Sequence, residues 1–260
     1  MQYTLSTLAI LFCGTAAFAG LKTEVIDYKH GDARLEGYLA YDDSFAGRRP
    51  GILVCHEWWG HNDYARRRAE QLAALGYVAF ALDMYGEGVL AKDAKEAADK
   101  AAVFKKDRSL MRARAMAGLD VLRRHPKVDP DNLAAIGYCF GGTTALELAR
   151  AGADLKGVAS FHGVLDTPDP ADAKRIRGKI LVLTGADDPV VPKEQVAAFE
   201  DEMKKAKIDC KVVVYPGAVH GFTNPAAGDD PKKGVAYNKE ADEKSWEEMK
   251  AFFERIFPKK

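Results

Sequence analysis

The sequence predicts an α/β fold: a mostly parallel, doubly wound sheet with helices on both faces, entered through an N-terminal antiparallel hairpin. Three observations carry that prediction. Short apolar runs without polar alternation recur at residues 51–55 (GILVC), 77–82 (YVAFAL), 133–136 (LAAI), 157–161 (GVASF), 179–183 (KILVL) and 211–215 (KVVVY). Strands buried on both faces read this way, whereas half-exposed strands alternate. Helical patterns fill the gaps, and right-handed crossovers then place helices on both sides of the sheet. Finally, the chain has 260 residues, of which 47% are hydrophobic and 29% charged. That is enough to bury one large core and too apolar for a disordered chain.

In chain order, residues 1–19 come first. They have an apolar centre from Leu8 to Phe12 and a small-x-small ending, Ala17-Phe18-Ala19. This predicts a secretory signal peptide cleaved after Ala19, although only the amino terminus of Met1 supplies positive charge. The run is shorter than the about 18 apolar residues of a membrane anchor, and bulky Phe12 before Cys13 argues against lipid attachment. Residues 20–260 are therefore expected to form one domain, periplasmic or secreted, with no membrane association after cleavage. Lys and Arg number 38 against 38 Asp and Glu. The balance argues against a nucleic-acid surface, leaving a small-molecule substrate and a monomeric chain as the expectation.

Residues 23–29 and 33–41 alternate around His30-Gly31-Asp32 and predict the hairpin. Asn62 or Asp63 caps a first helix with Ala65, Ala69, Leu72 and Leu75 on its apolar stripe and Gly76 at its end. Ala94, Ala97, Ala101 and Phe104 mark a second helix, and a third runs from Ser109 to Pro126. Residues 143–151, 194–205 and 242–256 complete the set. Mixed charges at 92–106 and 239–250 read as solvated helix faces. Residues 217–234, rich in Gly, Pro and charge, are expected to form a mobile flap. No Pro- or Gly-rich boundary divides the chain.

Sheets of this kind bind ligands at the carboxyl ends of their strands. After 133–136 comes Gly137-Tyr138-Cys139-Phe140-Gly141-Gly142, then a helix. This G-x-C-x-G at a strand–turn–helix junction has the form of a nucleophile elbow with Cys in place of Ser. The turn strains its central residue, the glycines permit close approach, and the helix N-terminus favours a thiolate at Cys139. A packing cysteine in a glycine turn fits the same local pattern, so the partners decide. Asp187 and Asp188 follow the 179–183 strand, and His220 follows the 211–215 strand. Nucleophile, acid and histidine then stand in the chain order of an α/β-hydrolase triad. His220 would take the proton of Cys139 and later protonate the leaving oxygen. Asp188, directly before Pro189-Val190-Val191-Pro192, is preferred to Asp187 as the acid.

Together with Cys55-His56-Glu57-Trp58-Trp59-Gly60, these motifs resemble the dienelactone hydrolase family across nearly the whole mature chain. The resemblance implies the α/β-hydrolase fold and cleavage of an ester or lactone through Cys139, Asp188 and His220. It implies that Glu57 contacts the resting cysteine and is displaced by substrate, and that the N–H groups of Trp58 and Phe140 form the oxyanion hole. Where prototypic members hold a substrate carboxylate with two arginines, this chain has Glu87 and Asn224. The charge clamp for an anionic lactone is thus expected to be lost. Trp58, Trp59 and Phe222 are candidates for an apolar acyl pocket, with Tyr85 and His162 as further substrate contacts; His56 and His61 are expected to orient their loop.

No metal or organic cofactor is expected, because such a triad supplies every group the chemistry needs, and neither C-x-x-C nor zinc-ligand spacing occurs. Beyond the signal, Cys55, Cys139 and Cys210 leave an odd thiol, and whether Cys55 pairs with Cys210 stays open. Two alternatives remain: a thioesterase or peptidase-like hydrolase, and a redox-sensing or binding protein in which Cys139 is oxidised rather than acylated.

Overall fold

The structure, a computed structural model, describes residues 20–257; the expected signal peptide lies outside the described residues. Eight strands form one sheet: β1 (Leu21–His30), β2 (Ala33–Asp42), β3 (Arg49–Cys55), β4 (Val78–Leu82), β5 (Val128–Tyr138), β6 (Gly157–Phe161), β7 (Lys179–Gly185) and β8 (Cys210–Tyr215). Their order is β1-β2-β4-β3-β5-β6-β7-β8. The hairpin β1–β2 joins antiparallel to β4, and every pairing from β4 onward is parallel. This is the mostly parallel sheet that the apolar runs predict, in the α/β-hydrolase form that the resemblance implies.

Six helices cover it: α1 (Asp63–Ala74), α2 (Ala94–Lys106), α3 (Arg108–Arg124), α4 (Phe140–Arg150), α5 (Lys193–Ala206) and α6 (Lys239–Ile256). Successive strand residues point to opposite faces. On β3, Leu53 and Cys55 join the core beneath α2, α3, α4 and α5, while Ile52 and Val54 join the core beneath α1 and α6. The caps are local chemistry. Asn62, Asp93, Asp107 and Asn238 each accept a backbone N–H three residues on, satisfying a donor the helix leaves unpaired. Asn62, rather than Asp63, caps α1.

Several boundaries differ from expectation for identifiable reasons. Helix α4 starts at Phe140, three residues earlier than its apolar pattern, because Gly141 and Gly142 are poor helix formers that are nonetheless helical here. Helix α6 starts at Lys239 because Asn238 caps it. Strand β5 begins at Val128, ahead of Pro130, and its register against β3 shifts at Pro50/Gly51. The expected flap is a flap only in part. Residues 218–224 are buried, and backbone hydrogen bonds from Asp187 to Ala218, from Ala236 to His220 and from Asn238 to Phe222 hold them. Residues 225–234 are largely exposed, with short 3-10 turns at Pro225–Ala227 and Pro231–Lys233.

Cys55 and Cys210 are free thiols. Four inter-strand spacings separate β3 from β8, about 19 Å in all, well beyond the ~7 Å Cα separation a disulfide can span. Among the described residues no helix is long and apolar enough to cross a membrane.

The turn after β5 tolerates no side chain at its first glycine. A Cβ on Gly137 would lie 1.9 Å from the carbonyl oxygen of Gly141. Gly137→Ala is expected to lower stability by about 3 kcal/mol through backbone displacement, measurable by urea denaturation at neutral pH.

Candidate active site

The carboxyl ends of β3, β5, β7 and β8 bring the sequence candidates together. Cys139 stands between β5 and α4 with φ 53° and ψ −117°, a conformation that costs an L-residue energy and persists where the surroundings over-determine it. The turn sets its sulfur at the N-terminus of α4, where the helix dipole favours negative charge. The Sγ lies 3.0 Å from His220 Nε2, and His220 Nδ1 lies 2.9 Å from Asp188 Oδ2. The other oxygen of Asp188 accepts the N–H groups of Val190 at 2.8 Å and Val191 at 3.2 Å. Of the two aspartates considered, Asp188 is buried against His220 while Asp187 is exposed. Burial opposes a charge on His220, but the neighbouring Cys139 sulfur and the Asp188 carboxylate outweigh it and raise its pKa to about 10.

Glu57 follows β3 and is 5% exposed. Its Oε2 accepts a hydrogen bond of 2.6 Å from Asn224 Nδ2. The resemblance implied a contact with the resting cysteine, but here the sulfur faces His220, and Asn224 is the partner of Glu57. Burial raises the Glu57 pKa to about 7, against the lowering effects of Asn224, His220 and Arg68. A carboxyl whose pKa is raised on folding is neutral in the folded chain where the unfolded chain is already ionised. Its contribution to stability is therefore complete at low pH and is lost as pH rises from about 4.5 through about 7, by about 3 kcal/mol. Glu57→Gln is expected to remove that loss. Urea denaturation at pH 5 and pH 8 should show a smaller stability difference for the variant than for the parent chain.

A cavity of about 820 Å³ opens over these groups, lined by Glu57, Cys139, His220 and Asn224 with Trp58, Trp59, Leu90, Phe140, Val164 and Val190 as apolar walls. Trp58 and Phe140, the expected oxyanion donors, both line it. Phe140 is the first residue of α4, so its N–H has no intrahelical acceptor. The Trp58 N–H makes no hydrogen bond to protein among the described residues. The loop carrying Trp58 is braced by His56, whose Nδ1 lies 2.5 Å from Glu57 O and whose Nε2 accepts the Met84 N–H at 3.1 Å. His56 thus orients the loop as expected, whereas the buried Nε2 of His61 has no partner among the described residues.

Three expected substrate contacts lie elsewhere. Phe222 is fully buried against Tyr215 and His162, because it sits in the packed half of the supposed flap. Tyr85 stands behind the wall, donating its hydroxyl to Trp58 O at 3.0 Å with its ring against Phe104 and Phe140. His162 is fully buried and does not line the cavity. Trp59 does line it, 5.3 Å from Trp58 in an edge-to-face pair.

Glu87, which stands where prototypic members carry an arginine, is paired with Arg34 at 3.0 Å and also does not line the cavity. Cations from other elements do: Arg67 of α1, Lys92 before α2 and Lys105 in α2, with Asp63 the one added carboxylate. Sequence reasoning missed these three because no motif marks them. Only the packing of α1 and α2 around the mouth brings them together. Among the described residues no cluster of three or more His, Cys, Asp or Glu suits a metal ion.

Comparison with known proteins gives a consistent picture. The model of the family described as the dienelactone hydrolase family matches residues 35–257. A solved structure named m3DLH is 42% identical, covering 92% of this chain and 100% of its own, with a TM-score of 0.89. A dienelactone hydrolase-like promiscuous phosphotriesterase, P91, from metagenomic libraries is 41% identical at the same coverage and TM-score. A protein of Synechocystis sp. with the name "Putative carboxymethylenebutenolidase" is 26% identical over 248 residues, 90% of this chain and 97% of that protein.

Proposed function

The chain belongs to the dienelactone hydrolase family, a family of lactone and ester hydrolases, and from that premise we propose that it cleaves a carboxylic ester or lactone through a cysteinyl acyl-enzyme. The observation that carries the reading is the continuous contact from Asp188 through His220 to the Cys139 sulfur, at 2.9 and 3.0 Å. Asp188 holds the His220 Nδ1–H, and His220, its pKa raised to about 10, holds the thiol proton on Nε2 and leaves the Cys139 sulfur as the attacking thiolate. The sulfur attacks the carbonyl carbon, and negative charge collects on an oxygen facing the Trp58 and Phe140 N–H groups. As the tetrahedral species collapses, the C–O bond breaks and His220 returns its proton to the leaving oxygen. Water, deprotonated by His220, then attacks the thioester, and the sulfur leaves with its electron pair. In this scheme Glu57, neutral below about pH 7 and tethered by Asn224, does not compete with His220 for the thiol proton.

The cavity supports a substrate larger than a simple lactone, and Arg67, Lys92 and Lys105 favour one with an anionic group remote from the ester. A panel of p-nitrophenyl acetate, unactivated lactones, a thioester and a hemisuccinate ester tests this. At low ionic strength, kcat/KM for the hemisuccinate is expected to exceed that of its neutral analogue about tenfold, and the advantage to collapse near 1 M salt. Equal rates would remove the anionic preference; faster turnover of the thioester would favour the thioesterase reading. A phosphotriester in the same panel tests whether the activity in the name of the metagenomic relative extends to this chain.

Export is part of the proposal and rests on residues 1–19. It predicts that protein recovered from its host begins at Gly20. Intact mass of that protein also separates the redox reading: an oxidised or adducted Cys139 would support it, and a free thiol the hydrolase.

A further inference from the structure

His162 has no part in the steps above, yet the site is built around it. It follows β6, is fully buried, and holds φ at 41°, a left-handed conformation that a histidine adopts at a cost. The Cys139 N–H is shared between Phe161 O at 3.0 Å and His162 Nδ1 at 3.1 Å. On the opposite side, His162 Nε2 lies 2.8 Å from Thr223 Oγ1. The ring also stands edge-to-face against His220, centroids 5.3 Å apart. Thr223 is three residues past His220, so one imidazole touches both the residue carrying the sulfur and the loop carrying the base.

The hydrogen bonds fix the tautomer of His162. Nδ1 faces an N–H and must accept, so the ring proton sits on Nε2 and is donated to Thr223 Oγ1. The Thr223 hydroxyl and Tyr64 Oη share a hydrogen bond of 2.7 Å in which either group can donate, and Tyr64 Oη also lies 3.3 Å from Thr223 O. Arg68 closes the set, donating to Tyr64 Oη at 3.3 Å, to Thr223 O at 2.8 Å and to Asp242 Oδ1 at 2.6 Å. A second proton on His162 would set N–H against N–H. Burial, with the nearby charges of His220 and Arg68, disfavours that proton and holds the His162 pKa well below its ordinary value.

We propose that His162, oriented by Thr223, is a positioning residue that fixes the approach of the Cys139 sulfur to His220. The inference rests on the reading of Cys139 as nucleophile. If Thr223 loses its hydroxyl, the Nε2–H of the ring loses the acceptor that holds its orientation, and the strut between elbow and base loop slackens. A small misplacement of reacting groups costs rate rather than binding.

Thr223→Val tests this, because it keeps the branched shape and removes only the hydroxyl. Two readouts are compared with the parent chain: kcat and KM for p-nitrophenyl acetate, and the pH profile of Cys139 alkylation by iodoacetamide, located by peptide mass. The expected result is a fall in kcat of about tenfold or more with KM within about twofold, a displaced alkylation profile, and recovery of both in Thr223→Ser. His162→Asn, which severs the link from the other side, is expected to show the same loss and serves if Thr223→Val does not fold. Parental kcat and alkylation in Thr223→Val, even with a lowered Tm, would overturn the positioning role. Cys139→Ala that still turns over the ester would instead overturn the catalytic reading on which the role rests.

Discussion

Cys139→Ala is expected to lower kcat for ester hydrolysis by about 10⁶-fold, the scale on which removal of a nucleophile from such a triad is felt. The size of the effect follows from the absence of a substitute. Cys55 is fully buried and burial alone pushes its thiol pKa far up, while Cys210 lies on the far edge strand. Neither can replace the sulfur that the elbow presents at 3.0 Å from His220. The fold should tolerate the change, because the Cys139 side chain is only partly buried and lines the cavity. Activity and urea denaturation measured on the same preparation separate lost chemistry from lost structure. A residual rate within tenfold of the parent chain would place the nucleophile elsewhere.

The second large effect is at Asp188. Asp188→Asn is expected to lower kcat by about 10³- to 10⁴-fold with little change in fold. The reason lies in how the two carboxylate oxygens are used. Oδ1 accepts the Val190 and Val191 N–H groups, and Oδ2 accepts from His220 Nδ1. An asparagine has one oxygen for these two duties. The two backbone donors hold that oxygen, so the amide NH₂ is turned toward His220, whose Nδ1 must then accept. The ring proton moves to Nε2, and the base has no lone pair for the thiol. Asp187→Asn, at an exposed side chain outside this geometry, is expected to keep kcat within about twofold. Steady-state kinetics on the two variants decide between the aspartates that the sequence alone leaves adjacent.

The parts of the molecule legible from sequence are those in which one local rule dominates. Apolar runs mark the parallel strands because both faces of β3 to β7 are covered. The elbow is legible because only glycine fits at Gly137, and because acid and histidine follow their strands. Burial patterns and tertiary partners are less visible. Phe222 reads as a pocket aromatic from its place after His220, but the hydrogen bonds that pin residues 218–224 turn it into the core. Glu87 sits at the expected place in the chain, yet Arg34, on the neighbouring hairpin, neutralises it. Asn224 reads as a missing arginine. Its contact with Glu57, 167 positions away, appears only when the loop after β8 folds back across the sheet to the loop after β3.

The same distinction bears on His162. After a strand, in Phe161-His162-Gly163, it resembles any loop histidine facing a pocket. Only the pairing of β6 with β5 and β7 shows that it is buried behind Cys139 and held from both sides.

The measurement that tests the central claim most directly is intact-mass and peptide analysis of enzyme quenched in acid during turnover of p-nitrophenyl acetate. The expected result is an added acetyl group on the peptide containing Cys139, its absence in Cys139→Ala, and its much slower formation in His220→Ala, where no base withdraws the thiol proton. Turnover with no acyl group on Cys139, or an adduct that forms equally fast in His220→Ala, would contradict the acyl-enzyme.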